Sequence, residues 1–268
     1  LPLHEEIVAS KASERRRMVG LEPRRVDLIV AGSTFLATAM EVFDFDEMTI
    51  SEWALREGIL LDAIGHHDPA DWTDDPRSIR RASVQSLARR CSYPEAHSKQ
   101  VARLALELFD QTKELHGLDA HDRELLEYAA LLHDIGEHVA HDGHHRHAAY
   151  LIQHGGLRGF APEEVALLAA IARWHRRGEP RATEEFGPLG PGGEERLRKL
   201  TALLRIADGL DRSRSQAVDD IDVHVNPSLV MIRLTRNRDA ELEQWGARRK
   251  RELFEKVFNR ELEVTCHP

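Results

Sequence analysis

The chain has 268 residues, of which 41% are hydrophobic and 31% charged, and its formal net charge is −9 with histidine neutral. This length is enough for one large domain or two smaller ones. The acidic balance argues against a nucleic-acid duplex or a membrane surface as partner, because both call for a basic face. No apolar run approaches the roughly 20 residues that span a bilayer. Two widely spaced cysteines, Cys91 and Cys266, indicate neither a disulfide framework nor a zinc knuckle, and this fits a reducing cytoplasm.

The first 62 residues predict a strand–turn–helix–strand unit. Residues 26–31 form a short, apolar, β-branched run that is typical of a buried strand, and residues 35–43 carry helical periodicity. Residues 48–50 indicate a second short strand. Residues 51–61 then predict a helix that Ser51 can cap.

Gly32, Ser33 and Thr34 follow the first predicted strand directly. At a strand-to-helix turn, their backbone N–H groups and the start of the helix could contact a phosphate group. The alternative is a plain tight turn with no ligand. The sequence leaves both interpretations open.

Residues 65–76 are rich in Gly, Pro, Asp and His, and they predict a linker. Beyond it, the apolar spacing is helical as far as residue 213. The predicted helices lie near residues 77–91, 94–116, 120–135, 145–154, 162–175 and 194–210. The sequence therefore predicts an all-helical domain over residues 77–215.

The last fifty residues change character again. Residues 221–225 alternate like a half-exposed strand, and a turn leads to a returning strand at 229–234. An amphipathic helix is predicted at 240–258 and a last strand at 261–266. We therefore expect a small α/β domain over residues 216–268, in which one helix covers a sheet.

Histidine is over-represented, with sixteen residues, and six of them crowd the stretch from 133 to 147. His138, His144 and His145 fit a solvated loop as well as they fit a site. His133 and His147 differ, because both adjoin apolar helical sequence.

Four residues predict a metal site, and each lies on or near the end of a predicted helix: His97, His133, Asp134 and Asp208. Taken alone, His97 fits a structural histidine at a helix start, and Asp208 fits a residue that ends a helix. Together they form a ligand set. Imidazole with carboxylate suits Zn, Fe, Ni or Mn, and a carboxylate-rich shell favours Mn or Mg. A divalent ion here could polarise a phosphoryl oxygen or activate a water.

This set resembles the metal ligands of the HD phosphohydrolase superfamily. The resemblance implies His147 and His175 as additional ligands, as in the two-metal members of that superfamily. Each of the two also has a structural interpretation. His147 fits a surface histidine on a helix, and His175 fits a histidine at a helix C-terminus, where the helix dipole favours it. Many active relatives carry Lys directly after the HD-Ile-Gly segment, where this chain has Glu137.

A second resemblance covers nearly the whole chain. Residues 25–62 are similar to the closing segment of the phosphatase core in the exopolyphosphatase/guanosine pentaphosphate phosphatase family. The resemblance implies a mainly α protein. Residues 1–64 would close an actin-like ATPase-fold core, followed by the linker, an HD-type helical domain and a small α/β unit. The family's catalytic carboxylate and phosphate loops would then lie upstream of this chain.

Arginines cluster in sequence near the predicted ligands. Arginine binds phosphate oxygens through a planar fork, so a polyanion could be bound here. For any single arginine, the alternative is a solvated residue that pairs with a nearby carboxylate. The candidates are Arg146, Arg173, Arg176, Arg205 and Arg212.

The first functional hypothesis is the C-terminal portion of an exopolyphosphatase-type hydrolase, located in the cytoplasm. It would release terminal phosphate from polyphosphate or guanosine pentaphosphate and use a divalent metal: Mg or Mn first, with Zn, Fe or Ni as alternatives. A second hypothesis is a stand-alone HD-type phosphohydrolase acting on nucleotides or phosphomonoesters. A third is a non-catalytic module that binds polyanions or forms a homodimer. The sequence does not decide between the two polyanions.

Overall fold

The computed structural model describes residues 2–49, 58, 76–236 and 238–266. The chain divides into two compact units, Leu1–Asp68 and Pro69–Pro268. The division falls inside the segment predicted as a linker, which lies outside the described residues apart from Pro76. Each unit is described by itself below.

The first unit is helical where it is described. It contains α1 (Pro2–Ala9), α2 (Ala12–Arg15), a 3₁₀ turn (Pro23–Arg25) and α3 (Ile29–Val42). The predicted strand at 26–31 is therefore wrong, while the helix predicted at 35–43 lies largely within α3. A strand needs a neighbour for its backbone hydrogen bonds. Residues 2–49 contain no strand to pair with, and a helix satisfies those groups locally.

Two further predictions concern the end of this unit. Met48 and Thr49 are not in a strand, so that prediction is also wrong over these two residues, for the same lack of a pairing partner. Ile50 lies outside the described residues. So does the helix predicted at 51–61, except for Gly58, which is helical.

The second unit begins with the helices that the apolar spacing predicts. The bounds of the predicted elements are confirmed to within a few residues, although α5 and α7 each end earlier than predicted and are followed by a short separate turn of helix. The helices are α4 (Pro76–Arg90), α5 (Glu95–Gln111), α6 (Lys113–His116), α7 (Ala120–Leu132), a 3₁₀ turn (Ile135–His138), α8 (His144–His154), α9 (Pro162–Trp174) and α10 (Gly193–Gly209).

Local sequence explains where these helices start and stop. Asp119 caps α7, because its side chain accepts a hydrogen bond from the backbone N–H of Asp122. Gly117 ends α6 in the left-handed conformation, with φ of 64°. Pro162 occupies the first position of α9, where its missing N–H costs nothing. Such ends matter here because the candidate ligands lie at helix termini.

Leucine-rich faces of the helices form the core. Leu104 and Leu108 of α5 pack with Leu125, Leu126 and Leu132 of α7, and all five are fully buried. Burying one leucine side chain contributes roughly 1.5–3 kcal/mol. The same apolar core continues without interruption into the C-terminal strands. The boundary predicted at 215 does not interrupt it.

The small C-terminal sheet is confirmed. It has the order β1 (Val218–Val225), β2 (Leu229–Arg236) and β3 (Glu261–Cys266), with α11 (Glu241–Phe258) between β2 and β3. β1 and β2 are antiparallel and β2 and β3 parallel. Parallel neighbours require a crossover of this kind.

Close contacts join the sheet and α11 to the helices. The side chains of Gln100 and Arg103 on α5 donate to the carbonyl oxygen of Val218, at the free edge of the sheet. Gly209 of α10 and Gly246 of α11 meet backbone to backbone, where a Cβ atom on either would overlap with the other helix. These contacts fix α11 against the end of α10.

No helix among the described residues is both long and apolar enough to cross a membrane. Cys91 and Cys266 are both free thiols, as the sequence indicates. Cys91 is buried, and burial raises the pKa of its thiol. Neither residue contributes to the candidate site.

Candidate metal centre

Helix ends bring the predicted ligands together. Each of the side chains concerned projects from the first or last turn of a helix or from the residue that follows it. They are His97 near the start of α5, His133 and Asp134 after α7, His144 at the start of α8, His175 after α9 and Asp208 near the end of α10.

The Asp134 carboxylate is the centre of this cluster. Its Oδ1 lies 3.6 Å from Nε2 of His133, 3.4 Å from Nε2 of His144 and 3.5 Å from Nε2 of His175. Its Oδ2 lies 3.7 Å from Nε2 of His97. The side chains of His97, His133, His175 and Asp134 are at most 4% exposed. Four imidazole Nε2 atoms therefore surround one buried carboxylate.

These atoms form two groups with the spacing of metal ligands, and a third, more exposed group consists of Glu137, His141 and His144. His97, His133 and Asp134 form one, and Asp134, His144 and His175 form the other, with the ligand atoms of each group within 4.8 Å of one another. Asp134 belongs to both. The structure thus contains clusters that could bind one or two metal ions, with Asp134 as a potential ligand in either group.

The other ring nitrogen of each histidine is already used. Nδ1–H of His133 donates to the carbonyl oxygen of Ala130 at 2.7 Å, and Nδ1–H of His175 donates to that of Ala172 at 2.7 Å. His144 donates in the same way to the carbonyl oxygen of His141 at 2.9 Å. A carbonyl oxygen only accepts, so the proton lies on Nδ1 and the neutral ring keeps a lone pair on Nε2.

One atom in the cluster has no hydrogen-bond partner at all among the described residues. It is Nε2 of His133, which is completely buried. A buried polar atom without a partner is costly unless something binds it. The donor set, the fixed tautomers and this unpartnered nitrogen all fit a divalent metal ion.

Asp208 is near the cluster but is shared with a lysine. Its Oδ1 lies 3.6 Å from Nε2 of His97, while its Oδ2 accepts a hydrogen bond from Nζ of Lys250 on α11. His97 is fixed from its other side by Asp211, whose Oδ2 lies 2.8 Å from Nδ1. Asp211 is itself fully buried.

Glu137 has a definite role in the structure. It accepts two hydrogen bonds from the guanidinium group of Arg214, at 2.7 and 3.0 Å. The same guanidinium donates to Oδ2 of Asp134 at 2.7 Å. Arg214 adopts a left-handed backbone conformation with φ of 58°, which is unusual for a side chain of this size. Glu137 therefore anchors a cation beside Asp134.

In this cluster, burial and neighbouring carboxylates shift the pKa of a histidine in opposite directions. Burial alone would lower the pKa of His97, but hydrogen bonds with Asp208 and Asp211 raise that pKa to about 9. Burial lowers the pKa of His175 to about 3. Burial would raise the pKa of Asp134, but the neighbouring imidazoles of His133 and His175 lower it. A buried carboxylate that stays ionised is suited to a cation.

These shifts predict how the stability of the metal-free protein depends on pH. The pKa of His175 is lowered in the folded protein, so the contribution of this residue to the free energy of unfolding is lost as pH falls from 6.5 towards 3. His97 has a raised pKa, so its contribution is present below 6.5 and is lost as pH rises through about 9. We expect the free energy of unfolding, measured in urea with a chelator present, to be highest near pH 6.5, where the two ranges meet.

The variant His97→Gln tests the alkaline side of this prediction. We expect its free energy of unfolding to fall less steeply than that of the wild type between about pH 6.5 and 9, because the titrating group is gone. Below about pH 6 the two proteins should keep parallel profiles. An alkaline slope that is identical in both proteins would contradict the pKa shift of His97.

Two predicted ligands, Asp208 and His147, belong to neither of the two groups. Asp208 still approaches His97, whereas His147 is half-buried on α8. His144, one turn earlier on the same helix, takes that position. The solvated-loop interpretation of His144 and His145 is wrong, because both are buried. Their position beside apolar Ala148 and Ala149 at the start of α8 is a signal for burial, although it does not choose between His144 and His147 as the ligand.

The residues predicted to bind phosphate are scattered. Gly32, Ser33 and Thr34 lie in the first turns of α3, so the strand-to-helix turn that motivated their prediction is absent. The hydroxyl groups of Ser33 and Thr34 both donate to the carbonyl oxygen of Val30. A helix began where a strand was predicted, and this removes the exposed N–H groups of the turn.

The predicted arginines differ among themselves. Arg205 is buried and donates to the carbonyl oxygens of Trp174 and Gly178. Arg173 lies over the ring of Trp174. Arg176 is exposed and lines the same cleft as Arg205. Arg146 and Arg212 are exposed and line no such cleft among the described residues.

Comparison with known proteins identifies both parts of the chain. The model of the Ppx/GppA phosphatase family matches residues 2–67, and the model of Ppx/GppA phosphatase, domain III, matches residues 79–245. The second match includes the whole candidate metal centre except Lys250, which is a neighbour of Asp208 rather than a ligand.

Curated relatives agree with these matches. The chain is 29% identical over 81% of its length to a guanosine-5'-triphosphate,3'-diphosphate pyrophosphatase of Vibrio vulnificus. It is 28% identical over 79% of its length to proteins of the same name from Aeromonas hydrophila and Aeromonas salmonicida. It spans 41–42% of the length of these relatives. Since the domain III match alone covers more than half of the residues, the chain belongs to the Ppx/GppA phosphatase family.

Proposed function

We propose that this chain is the C-terminal portion of an exopolyphosphatase-type hydrolase, which releases terminal phosphate from guanosine pentaphosphate or polyphosphate. The observation that carries the proposal is the pair of family matches, to the Ppx/GppA phosphatase family at 2–67 and to its domain III at 79–245. The name of the three relatives, a guanosine-5'-triphosphate,3'-diphosphate pyrophosphatase, favours guanosine pentaphosphate over polyphosphate. A cytoplasmic location goes with that substrate.

Within this proposal, residues 1–64 close an actin-like phosphatase core. The exposure of large apolar side chains on the first unit supports this assignment. Phe35 is 77% exposed, Val42 71% and Leu28 69%, all on or next to α3. Exposed apolar groups at this density indicate a surface that other protein covers. Residues 65–76 would be the linker, 77–215 the HD-type domain and 216–268 the small C-terminal domain.

We further propose that the helical domain binds a divalent metal through His97, His133, Asp134, His144 and His175, with Asp208 as a further ligand. Four imidazoles favour Mn, Fe, Zn or Ni over Mg, which prefers oxygen ligands. When bound, such an ion supplies Lewis-acid chemistry towards a phosphoryl oxygen. Of the two metals expected first, Mn therefore fits this site better than Mg. Mg stays the expected ion of the phosphatase core.

The chain's own residues have separate tasks around such an ion. Asp211 fixes the ring of His97, and backbone carbonyl groups fix the other three rings. Arg214 places a guanidinium group beside Asp134, from which its free N–H groups could bind a phosphate oxygen. Glu137 keeps Arg214 in that position. The departure from lysine at position 137 is therefore compatible with phosphate binding.

The second candidate function is hydrolysis of nucleotides or phosphomonoesters by the helical domain itself. The completeness of the ligand cluster, with an unpartnered Nε2 on His133, favours it. The third candidate is a non-catalytic module for polyanion binding or homodimer formation. The two hydrolase proposals place the chemistry in different parts of the protein, so they are separable.

Phosphate release is the experiment that separates these functions. The substrates are guanosine pentaphosphate, polyphosphate and a generic phosphomonoester, assayed with this chain and with a longer protein that includes the upstream core. The first proposal expects hydrolysis of the two polyanions by the longer protein and little by this chain. Equal activity of the two proteins would contradict it.

A His133→Ala variant of the longer protein provides the matched control. The first proposal expects it to retain hydrolysis of the polyanions, because the reacting groups lie in the core. The second candidate expects the phosphomonoesterase activity of the present chain to disappear in the same variant. If neither protein releases phosphate from any substrate, the non-catalytic module is the remaining function.

A further inference from the structure

A cationic cleft opens next to the metal centre, on the side of α11. It has a volume of about 260 Å³, and the loop after α9 and one face of α11 line it. Its basic residues are Arg176, Arg177, Arg205, Arg249, Lys250 and Lys256, against two acidic ones, Glu179 and Glu252. Such an excess of cations attracts an anion.

Several of these cations are available to a ligand. Arg176 and Arg177 form no ion pair within the described part of the chain, and both are exposed. Arg249 lies over the ring of Trp245 and is also exposed. By contrast, Lys256 pairs with Glu179 at 2.9 Å, and Arg205 donates to backbone carbonyl groups. Arg176, Arg177 and Arg249 therefore present N–H donors to the cleft that form no ion pair with another described residue.

Lys250 belongs both to the cleft and to the metal centre. It lines the cleft, and its Nζ donates to Oδ2 of Asp208. Oδ1 of the same carboxylate faces His97 at 3.6 Å. The backbone contact between Gly209 and Gly246 fixes α11 one turn before Lys250, so the backbone of this lysine stays beside Asp208 while its side chain can turn.

A metal ion and Lys250 would compete for Asp208. An ion at His97 and Asp208 brings two positive charges towards the ammonium group, and repulsion moves Lys250 away from the carboxylate. Lys250 also lines the cleft, so its side chain can turn into it. There it adds a cation to Arg176 and Arg177. Conversely, an anion in the cleft draws Lys250 from Asp208 and leaves the carboxylate for the metal.

We propose that this cleft binds a phosphate-group anion and that Lys250 couples its binding to metal binding at Asp208. The coupling rests on the metal-binding function proposed above, whereas the anion site does not. Because linkage is reciprocal, each ligand tightens the binding of the other by the same factor. Arg176 directly follows the ligand His175, so both sites are built on the same end of α9.

The anion site is tested first in metal-free protein, with a chelator present. Calorimetric titration uses inorganic phosphate in one arm and tripolyphosphate in the other, which separates a single phosphate from a phosphate chain. We expect Arg176→Gln with Arg177→Gln to weaken anion binding about tenfold or more, because hydrogen bonds to charged groups are lost. Arg251→Gln is the control, since Arg251 is on α11 but outside the cleft. Equal binding by the two variants would overturn the site.

The coupling is tested with Mn²⁺, through the electron paramagnetic resonance signal of the free ion. Sulfate serves as the anion because it binds divalent metals weakly, and the ionic strength is kept constant. We expect sulfate to tighten Mn²⁺ binding about fivefold or more in the wild type, a usual size for coupling, and to have no such effect in Lys250→Gln. The same sulfate effect in both proteins overturns the inference alone. A wild type that binds no Mn²⁺ overturns the metal proposal and the coupling with it.

Discussion

Replacing His133 and Asp134 together by alanine is expected to abolish metal binding by the helical domain. Asp134 belongs to both groups of potential ligands, and His133 carries the buried nitrogen without a partner. Each remaining histidine would then lack the carboxylate around which it is arranged. Metal analysis of the purified protein, followed by titration with Mn²⁺ and Zn²⁺, measures the effect.

The double variant is expected to stay folded. The apolar core extends from α4 to β3 and does not depend on this pair. Each of the two substitutions is expected to lower the free energy of unfolding by about 0.5–3 kcal/mol, as most single substitutions do. Arg214 loses one partner, but it is 42% exposed and keeps Glu137. A cooperative urea transition, measured in the presence of a chelator, is therefore expected.

His144→Ala and His147→Ala form a matched pair within α8. The first should weaken metal binding, because Nε2 of His144 lies 3.4 Å from Asp134. The second should leave metal binding as in the wild type, because His147 lies outside both groups. Unchanged metal content in the double variant would refute the assignment of the site. The opposite ranking of the two α8 variants would show that His147 is the ligand.

The helical ligands were predictable because helix ends can be read from local sequence. His133 and Asp134 end an apolar helical stretch, and His97 follows the start of another. Once those helices pack through their leucine faces, the ends meet. No single residue predicts the site. The site is predicted by several candidate ligands that all lie at helix ends. The structure brings the ligand atoms of His97, His133 and Asp134 within 4.8 Å of one another.

The choice between His144 and His147 was beyond the sequence. Both lie on one side of α8, one turn apart, so the helical pattern permits either. Which of the two histidines reaches Asp134 is decided by how closely the preceding 3₁₀ turn packs against α8. This packing depends on the contact of Gly136 with the backbone of His144 and Ala148, which forms only in the folded structure.

Glu137 shows a different limit. The sequence resemblance implied a lysine at this position, where the chain has a negatively charged residue instead. The compensating cation, Arg214, is 77 residues away and reaches the site in an unusual backbone conformation. Long-range pairs of this kind cannot be read from one sequence. The predicted strand at 26–31 failed for a related reason, because a strand depends on partners elsewhere.

Gly136→Ala is expected to destabilise the protein and to displace His144 from the metal centre. A Cβ atom at position 136 would overlap with backbone atoms of His144 and Ala148. Backbone atoms inside a helix cannot rotate away as the end of a side chain can, so the 3₁₀ turn and α8 must separate. Overpacking of this kind costs about 1–3 kcal/mol, and occasionally more.

The displacement should affect the two ligand groups unequally. His144 moves with α8, so the group of Asp134, His144 and His175 is disrupted. His97 and His133 lie on α5 and at the end of α7, so their group with Asp134 should persist. We therefore expect metal binding to weaken or lose one ion rather than disappear. Urea unfolding and the metal content at saturation measure the two effects.

His138→Ala is the control, because this exposed histidine lies on the same 3₁₀ turn and is in neither group. Its free energy of unfolding should stay within about 0.5 kcal/mol of the wild type, as for most surface substitutions. If Gly136→Ala matches this control in both stability and metal binding, the packing of the turn on α8 does not position His144. If it loses all metal, the two groups are not separable and the cluster binds its ion as one unit.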